Sequence, residues 1–177
     1  GQEGKVADVE VYSIGASVEL FQDGKSLGKE ELKESRCFYK VVYKPGSLEA
    51  ISFDEEGKEI ERSKLITGND TNKLTILPEE RAIQADGEDL AYVAVHITDE
   101  NGIVKMLQDR KVKITVEGAG ELLATASGNP ETTEKFSNSS CTTYYGRMIA
   151  IIKSNGEAGK IKVTASADGM GTETIEI

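Results

Sequence analysis

The chain has 177 residues, which is enough for one large domain or for two domains of modest size. Its 38% of hydrophobic residues can build a core, whereas its formal charge of −10 disfavours contact with nucleic acid phosphates and with anionic membranes. We therefore expect a folded protein with no nucleic acid partner and no membrane partner.

The first half of the chain reads as a series of short strands. Apolar residues alternate with polar ones around Val9 and again around Val18, as in strands that bury one face. The Asp23-Gly24 pair then predicts a tight turn. Further strands are predicted at residues 36–43, 48–53 and 59–67. The one competing helix candidate, residues 29–35, is too short and too polar to form a stable helix.

A second strand-rich segment follows a polar stretch. Residues 68–72 are small or polar, and we interpret them as a linker between a domain at residues 1–70 and a domain at residues 73–177. The second segment opens with alternation around Leu74 and Ile76. Its later strands are predicted at residues 90–98, 111–117, 122–126, 147–153, 160–167 and 172–177, with a long polar loop at 127–143. About seven strands of this kind are typical of an immunoglobulin-like sandwich.

The residues that bind metals are too few and too scattered to predict a cofactor. Cys37 and Cys141 fall in different predicted domains, so a disulfide between them is not expected. Two thiols need histidine partners to hold zinc, and His96 is the only histidine. It lies in a predicted strand on the same side as Tyr92, opposite Val93, which favours a packing or surface role.

Acidic residues are numerous, and most require no special role. The turn at residues 99–102 could ligate calcium through its oxygens, yet it lacks the spacing of an EF-hand and suits a hairpin turn without any ion. The adjacent pairs Glu30-Glu31 and Glu79-Glu80 read as solvated surface. We assign no catalytic carboxylates.

Aromatic residues beside the long loop form the one candidate binding site. Phe136, Tyr144 and Tyr145 lie in or next to residues 127–147, with amide side chains nearby. Aromatic faces and amides are what a carbohydrate platform needs. The alternative, which we favour, is that these rings plug the end of the sandwich core.

Several motifs in one order resemble known domains. The first half resembles a domain that follows the catalytic barrel in many glycoside hydrolase family 2 enzymes, and the second half is similar to the next domain, an invasin-like bacterial immunoglobulin fold. In the first half the resemblance rests on Val11-Tyr12-Ser13, Ser17 to Phe21, Gly24 to Gly28 and Tyr43 to Ala50. In the second half it rests on Ala85 to Val93, Asp99 to Gly102, Gly118 to Leu122 and Ala158 to Ala165.

The resemblance implies a fold and a role. It implies an all-β chain of two consecutive immunoglobulin-like β-sandwich domains, without a catalytic site or cofactor of its own. The retaining hydrolysis of such enzymes uses two carboxyl groups about 5 Å apart, here expected on a barrel outside this chain. The expected partners are the catalytic and other domains of a β-galactosidase-type parent, and the expected location is periplasmic or extracellular.

Two alternatives remain open at the level of the sequence. In the first, the chain is a carbohydrate-binding module that tethers the enzyme to a glycan through Phe136, Tyr144 or Tyr145. In the second, the invasin-like half is a spacer of a cell-surface adhesin. An upstream barrel in the gene would favour the hydrolase, and serial copies of one domain would favour the adhesin.

Overall fold

The fold was analysed in a computed structural model that describes residues 2–177. Within these residues every regular element is a β-strand, and fourteen strands form. The chain divides into two compact units, one up to Thr67 and one from Gly68 onward. No helix long and apolar enough to cross a membrane occurs in the described part of the chain.

The first unit is a small sandwich of two antiparallel sheets. Strand β1 pairs with β4, and the other sheet has the order β3-β2-β5-β6. In the strand letters of immunoglobulin folds these sheets correspond to B-E and C′-C-F-G. The six strands are β1 (Val6–Tyr12), β2 (Ser17–Gln22), β3 (Lys25–Glu31), β4 (Arg36–Val42), β5 (Ser47–Phe53) and β6 (Glu59–Ile66).

A compact core joins the two sheets of the first unit. Val18 and Leu20 of β2 are buried against Cys37, Tyr39 and Val41 of β4, and the alternating residues of both strands are more exposed. The Tyr39 hydroxyl donates a hydrogen bond of 2.7 Å to the Val18 carbonyl. This bond satisfies the one polar atom that the ring brings into the core.

The second unit is a larger sandwich of two four-stranded sheets. One sheet has the order β10-β12-β8-β7 and the other the order β11-β9-β13-β14. The first sheet reproduces the D-E-B-A order of an immunoglobulin domain, and β9-β13-β14 reproduces C-F-G. The strands are β7 (Lys73–Pro78), β8 (Leu90–Thr98), β9 (Lys111–Gly118), β10 (Gly120–Ala126), β11 (Ser140–Thr142), β12 (Arg147–Ser154), β13 (Ile161–Ala167) and β14 (Gly171–Glu176).

The core of the second unit comes from alternate residues of its central strands. Val93 and Val95 of β8, Ala150 and Ile152 of β12, and Val163 of β13 are fully buried. Each fully buried valine or isoleucine side chain contributes roughly 1.5–3 kcal/mol of transfer free energy. The prediction of an all-β chain of two immunoglobulin-like sandwiches is confirmed by this topology.

The structure contains two strands that the sequence pattern did not predict. Strand β3 is exposed along its whole length and lies at a sheet edge, so no buried face leaves an alternation to detect. Strand β11 has only three residues and lies inside the predicted loop at 127–143, where it pairs with the edge of β9. Residues 29–35, the helix candidate, instead end β3 and form a turn with positive φ at Glu34 and Ser35.

The residues predicted as a linker are attached to the second unit. The backbone N–H of Asn69 donates to Asp99 Oδ2 at 2.9 Å, and the N–H of Glu100 donates to Thr71 Oγ1 at 2.9 Å. The Lys105 ammonium also donates to the Asn69 carbonyl oxygen. These bonds fix residues 69–71 against the turn that follows β8.

Candidate functional site

The aromatic residues predicted as a carbohydrate contact lie at the loop end of the second unit. Glu134 organises the long loop, because its carboxylate accepts bonds from the Thr142 backbone N–H at 2.8 Å and from the Thr142 hydroxyl at 3.0 Å. The backbone N–H of Thr125 donates to the Phe136 carbonyl at 2.8 Å. The loop is therefore held to both β10 and β11.

The two tyrosines belong to a tight hairpin that leads into β12. Tyr144 and Arg147 exchange backbone hydrogen bonds of 2.9 and 3.1 Å across Tyr145 and Gly146. Both central residues have positive φ, 49° at Tyr145 and 70° at Gly146. This is a type I′ turn, in which Asn or Asp is the usual first central residue. A tyrosine there is strained and must be held by its surroundings.

The carboxylate of an exposed residue, Asp109, stabilises the hairpin from the neighbouring loop. Asp109 Oδ1 accepts hydrogen bonds from the Gly146 backbone N–H at 3.1 Å and from the Thr143 hydroxyl at 3.4 Å. The sequence did not predict the roles of Asp109 and Glu134. Asp109 binds Gly146, which is 37 residues away, and Glu134 binds Thr142, which belongs to no recognised motif. The sequence signal was limited to an acidic residue near a polar loop.

The three aromatic side chains do not plug the core. Tyr145 is 51% exposed and Phe136 is 61% exposed, whereas Tyr144 is half-buried. The interpretation that these rings close the end of the sandwich is therefore wrong. The Tyr144 and Tyr145 rings have centroids 4.4 Å apart and planes inclined by 57°. The neighbouring Tyr145 side chain and, to a smaller extent, the Asp109 charge raise the pKa of Tyr144.

The structure brings only part of the predicted platform together. The two tyrosines are in ring contact, but no ring contact joins Phe136 to either of them among residues 2–177. Asn129 uses its side-chain oxygen to cap its own turn, at 2.9 Å from the Glu131 N–H. The candidate site is thus a tyrosine pair with one exposed ring, and Phe136 is a separate exposed residue.

Carboxylates elsewhere hold turns in place. The Asp99 side chain is enclosed, and its oxygens accept bonds from the N–H groups of Asn69, Asn101 and Ile103 at 2.8–2.9 Å. These bonds lower the pKa of Asp99, as bonds from Glu88 and Asp89 lower that of Asp86. The carboxylate that calcium binding would require is already bonded to the backbone, and the hairpin-turn prediction for residues 99–102 is confirmed.

The pKa values of these carboxylates are lowered, whereas a catalytic acid needs a raised pKa. Backbone bonds from Thr142 lower the pKa of Glu134, and the Arg62 guanidinium lowers that of Glu59. A glycosidase acid works only when its pKa is raised, so that it holds a proton near neutral pH. These carboxylates are suited to capping backbone N–H groups and to pairing with cations.

His96 and the cysteines have the environments that their strand positions predict. His96 is half-buried on the outer side of β8, across from Arg147 of β12. Burial and the Arg147 charge lower its pKa. Cys37 and Cys141 are buried in the separate cores, and burial raises the pKa of both thiols. A raised pKa leaves less of the reactive thiolate.

The second unit matches a known family almost from end to end. Residues 74–176, more than half of the chain, match the family described as glycoside hydrolase family 2 C-terminal domain 5. The chain belongs to this family. Residues 4–61 match a further family that is described only as a domain of unknown function. The resemblance to glycoside hydrolase family 2 that the sequence motifs indicated is confirmed.

Relatives and solved structures agree with the family. A β-galactosidase of Bacteroides ovatus is 30% identical over 168 residues, which are 94% of this chain and 20% of that enzyme. A glycosyl hydrolase family 2 member from Bacteroides cellulosilyticus has 32% identity and a TM-score of 0.94, covering 100% of this chain and 25% of that one. A β-glycosidase of Bacteroides vulgatus, with 24% identity and a TM-score of 0.94, shows the same fold.

The chain is much shorter than these relatives. It spans about a fifth of the B. ovatus enzyme and a quarter of the B. cellulosilyticus chain. The larger part of each relative has no counterpart in the 177 residues.

Proposed function

We propose that the chain is a non-catalytic accessory module of a glycoside hydrolase family 2 enzyme of the β-galactosidase type. The observation that carries the proposal is the family match over the whole second sandwich, in a chain that spans only a fifth of a β-galactosidase. A (β/α)₈ barrel needs on the order of 250 residues with helices between its strands. The lowered pKa values of Asp86, Asp99 and Glu134, whose carboxylates bond to backbone N–H groups, support a structural role for these residues.

A turnover assay tests the proposal. The purified 177-residue chain and the full-length gene product that contains it are compared on a chromogenic β-galactoside. We expect turnover by the full-length product and none by the 177-residue chain at equal molar concentration. Turnover by the 177-residue chain would overturn the proposal. The same family match favours the hydrolase over the adhesin spacer, and a gene with serial copies of one domain would reverse that preference.

The proposal includes export of the parent enzyme to the periplasm or the cell exterior. It rests on the resemblance to modules of secreted bacterial hydrolases. Cell fractionation tests it, with a cytoplasmic enzyme and a periplasmic enzyme as markers. Recovery of the full-length product with the cytoplasmic marker would contradict this part of the proposal and leave the module assignment standing.

A second candidate function is glycan binding at the loop end of the second unit. The observation that favours it is Tyr145, whose ring is held exposed on a strained turn position beside Tyr144. Aromatic faces of this kind stack on sugar rings, and a non-glycine residue held at positive φ is often functional. Calorimetry with β-galactan oligosaccharides decides it. Binding that is lost in Tyr145→Ala and kept in Phe38→Ala, an exposed aromatic of the first unit, would support it.

A further inference from the structure

The two central strands of one sheet in the second unit are apolar on both faces. In β8 the residues Val93 and Val95 enter the core, yet Tyr92 and Ala94 on the other face are also apolar. In β12 the same is true of Ile149 and Ile151, which alternate with core residues. A strand with one solvated face alternates apolar and polar residues, whereas a strand covered on both faces reads as a continuous apolar run.

The strand register gathers these side chains into one surface. Ile151 lies opposite Tyr92, and Ile149 lies opposite Ala94. The neighbouring strands extend the row, because Leu77 lies opposite Ala94 and Ala124 lies opposite Ile151. None of these residues packs against the core of the unit. We call this surface the apolar face; it comprises Leu77, Tyr92, Ala94, Ala124, Ile149 and Ile151.

Two large side chains of the apolar face are exposed, and Ile149 and Ile151 are half-buried. Leu77 is 48% exposed and Tyr92 is 40% exposed. Leu123, at the bulge of β10 beside this face, is 47% exposed. Contiguous apolar surface of this kind, with polar residues around it, marks an interaction site.

The opposite sheet provides a control within the same sandwich. Its outer face carries Thr115 and Glu117 of β9 and Lys162 and Thr164 of β13. Lys162 Nζ pairs with Glu117 Oε2 at 3.0 Å. The Thr164 hydroxyl lies 3.1 Å from that of Thr174. This face is polar throughout, so the apolar character of the other outer face is not a general property of the unit.

Charged residues of both signs border the apolar face. Arg147 and Lys153 stand at the two ends of β12, and Lys73 begins β7. Glu121 is the carboxylate across from Lys153. Glu79 adds a second carboxylate beside the face, because its backbone N–H donates to the Tyr92 carbonyl at 2.9 Å. The rim therefore carries charges of both signs, as expected for an apolar patch bordered by polar residues.

We propose that the apolar face docks onto a further domain of the same polypeptide, outside residues 1–177, which presents a matching apolar patch. This inference rests on the proposed function, because it requires the chain to be one part of a longer glycosidase. The relatives fit this requirement, since the chain covers only 20% of one and 25% of another. Docking would remove the Tyr92 ring and the two isoleucines from water.

Hydroxyl-radical footprinting tests the inference. Labelling of Tyr92 and Leu77 is compared between the 177-residue chain and the full-length gene product, with Met106 and Leu107 as exposed references in the same unit. We expect a several-fold drop in labelling of Tyr92 and Leu77 in the full-length product, with the references labelled alike. Equal labelling of Tyr92 in both proteins would overturn the inference. Protection already present in the dilute 177-residue chain would also overturn it.

Matched variants separate docking from folding. Ile151→Lys places a charge on the apolar face, and Thr164→Lys places one on the polar outer face of the other sheet. In the full-length product, Ile151→Lys should restore the labelling of Tyr92, whereas Thr164→Lys should not. If Ile151→Lys lowers the melting temperature of the 177-residue chain, Tyr92→Glu replaces it, with recovery of Leu77 labelling as the readout. Full protection retained in these variants would contradict the inference.

Two further measurements distinguish a failure of the docking inference from a failure of the proposed function. Sedimentation of the 177-residue chain over a range of concentrations should show a monomer, and dimerisation accompanied by protection of Tyr92 would overturn the inference in favour of a second copy. Turnover of a β-galactoside is measured on the same full-length sample. Turnover together with a fully labelled Tyr92 overturns this inference alone, whereas a gene that encodes no further domain overturns the proposed function as well.

Discussion

Asp99 stabilises the turn after β8 and ties the start of the second unit to it, through bonds to three backbone N–H groups. Its carboxylate accepts bonds from Asn69, Asn101 and Ile103, and the side chain is 1% exposed. Removing a charged acceptor from such partly buried hydrogen bonds is costly, because water cannot replace it fully. We expect Asp99→Ala to lower the melting temperature by several degrees.

The control for Asp99 is a neighbour in the same turn. Asn101 is exposed, and substitutions at such positions usually change little. Asn101→Ala should therefore leave the melting temperature nearly unchanged in a calorimetric scan. A melting temperature for Asp99→Ala equal to that of the wild type would contradict the role given to the carboxylate.

His96 makes stability depend on pH below about 6.5, the pKa of an unperturbed histidine. Its folded pKa is lowered, first by burial and then by the Arg147 charge, so the unfolded chain takes up the proton first as the pH falls. The unfolded state then binds more protons, and stability decreases as the pH drops below about 6.5. Above that pH both states are neutral and the effect is absent.

Replacement of His96 tests this dependence cleanly, because the chain contains no other histidine. We expect His96→Gln to remove the loss of stability between about pH 6.5 and pH 5, above the range in which carboxylates titrate. Urea unfolding at a series of pH values measures it. An unchanged slope of stability against pH in the variant would show that another group is responsible.

At the scale of elements, the Tyr144–Arg147 hairpin carries a strain that a substitution can relieve. Tyr145 has a φ of 49°, which Asn adopts more readily than a residue with a bulky aromatic side chain. We expect Tyr145→Asn to stabilise the chain by about 1 kcal/mol. If the ring binds glycan, the same variant should lose that binding while it gains stability.

A second turn of the same type provides the reference for Tyr145. Glu34 has a φ of 52° in the turn between Lys33 and Arg36, at an exposed position of the first unit. Glu34→Asn should stabilise the chain in the same direction, as measured by urea unfolding. Destabilisation by Tyr145→Asn, beside stabilisation by Glu34→Asn, would show that the Tyr145 ring contributes packing that outweighs its strain.

The elements that sequence patterns predicted are those with a buried face. Strands β8, β9 and β12 were predicted within a residue or two, because core residues alternate along them. Strand β3 was missed, since hydrogen bonds to β2 hold it at an edge without burial. The candidate site was predicted only in part: the sequence singled out Tyr144 and Tyr145, but not Asp109, whose bond to Gly146 spans 37 residues.

At the scale of the whole molecule, the two outer faces of the second sandwich indicate which side is in water and which side is covered. A polar face with paired Lys and Glu suits water, and an apolar face suits a covered position in a larger protein. Carboxylates that are bonded to backbone N–H groups suit rigid turns. Together these features support the proposed accessory role, and the chain belongs to a family named for its C-terminal position.

We propose that glycoside hydrolysis occurs outside these 177 residues. A fluorinated galactoside that traps the covalent intermediate of a retaining enzyme measures this most directly, because it marks the nucleophilic carboxylate itself. Intact mass spectrometry should find one sugar on the full-length gene product and none on the 177-residue chain. A sugar adduct on any carboxylate of the 177-residue chain would contradict the account.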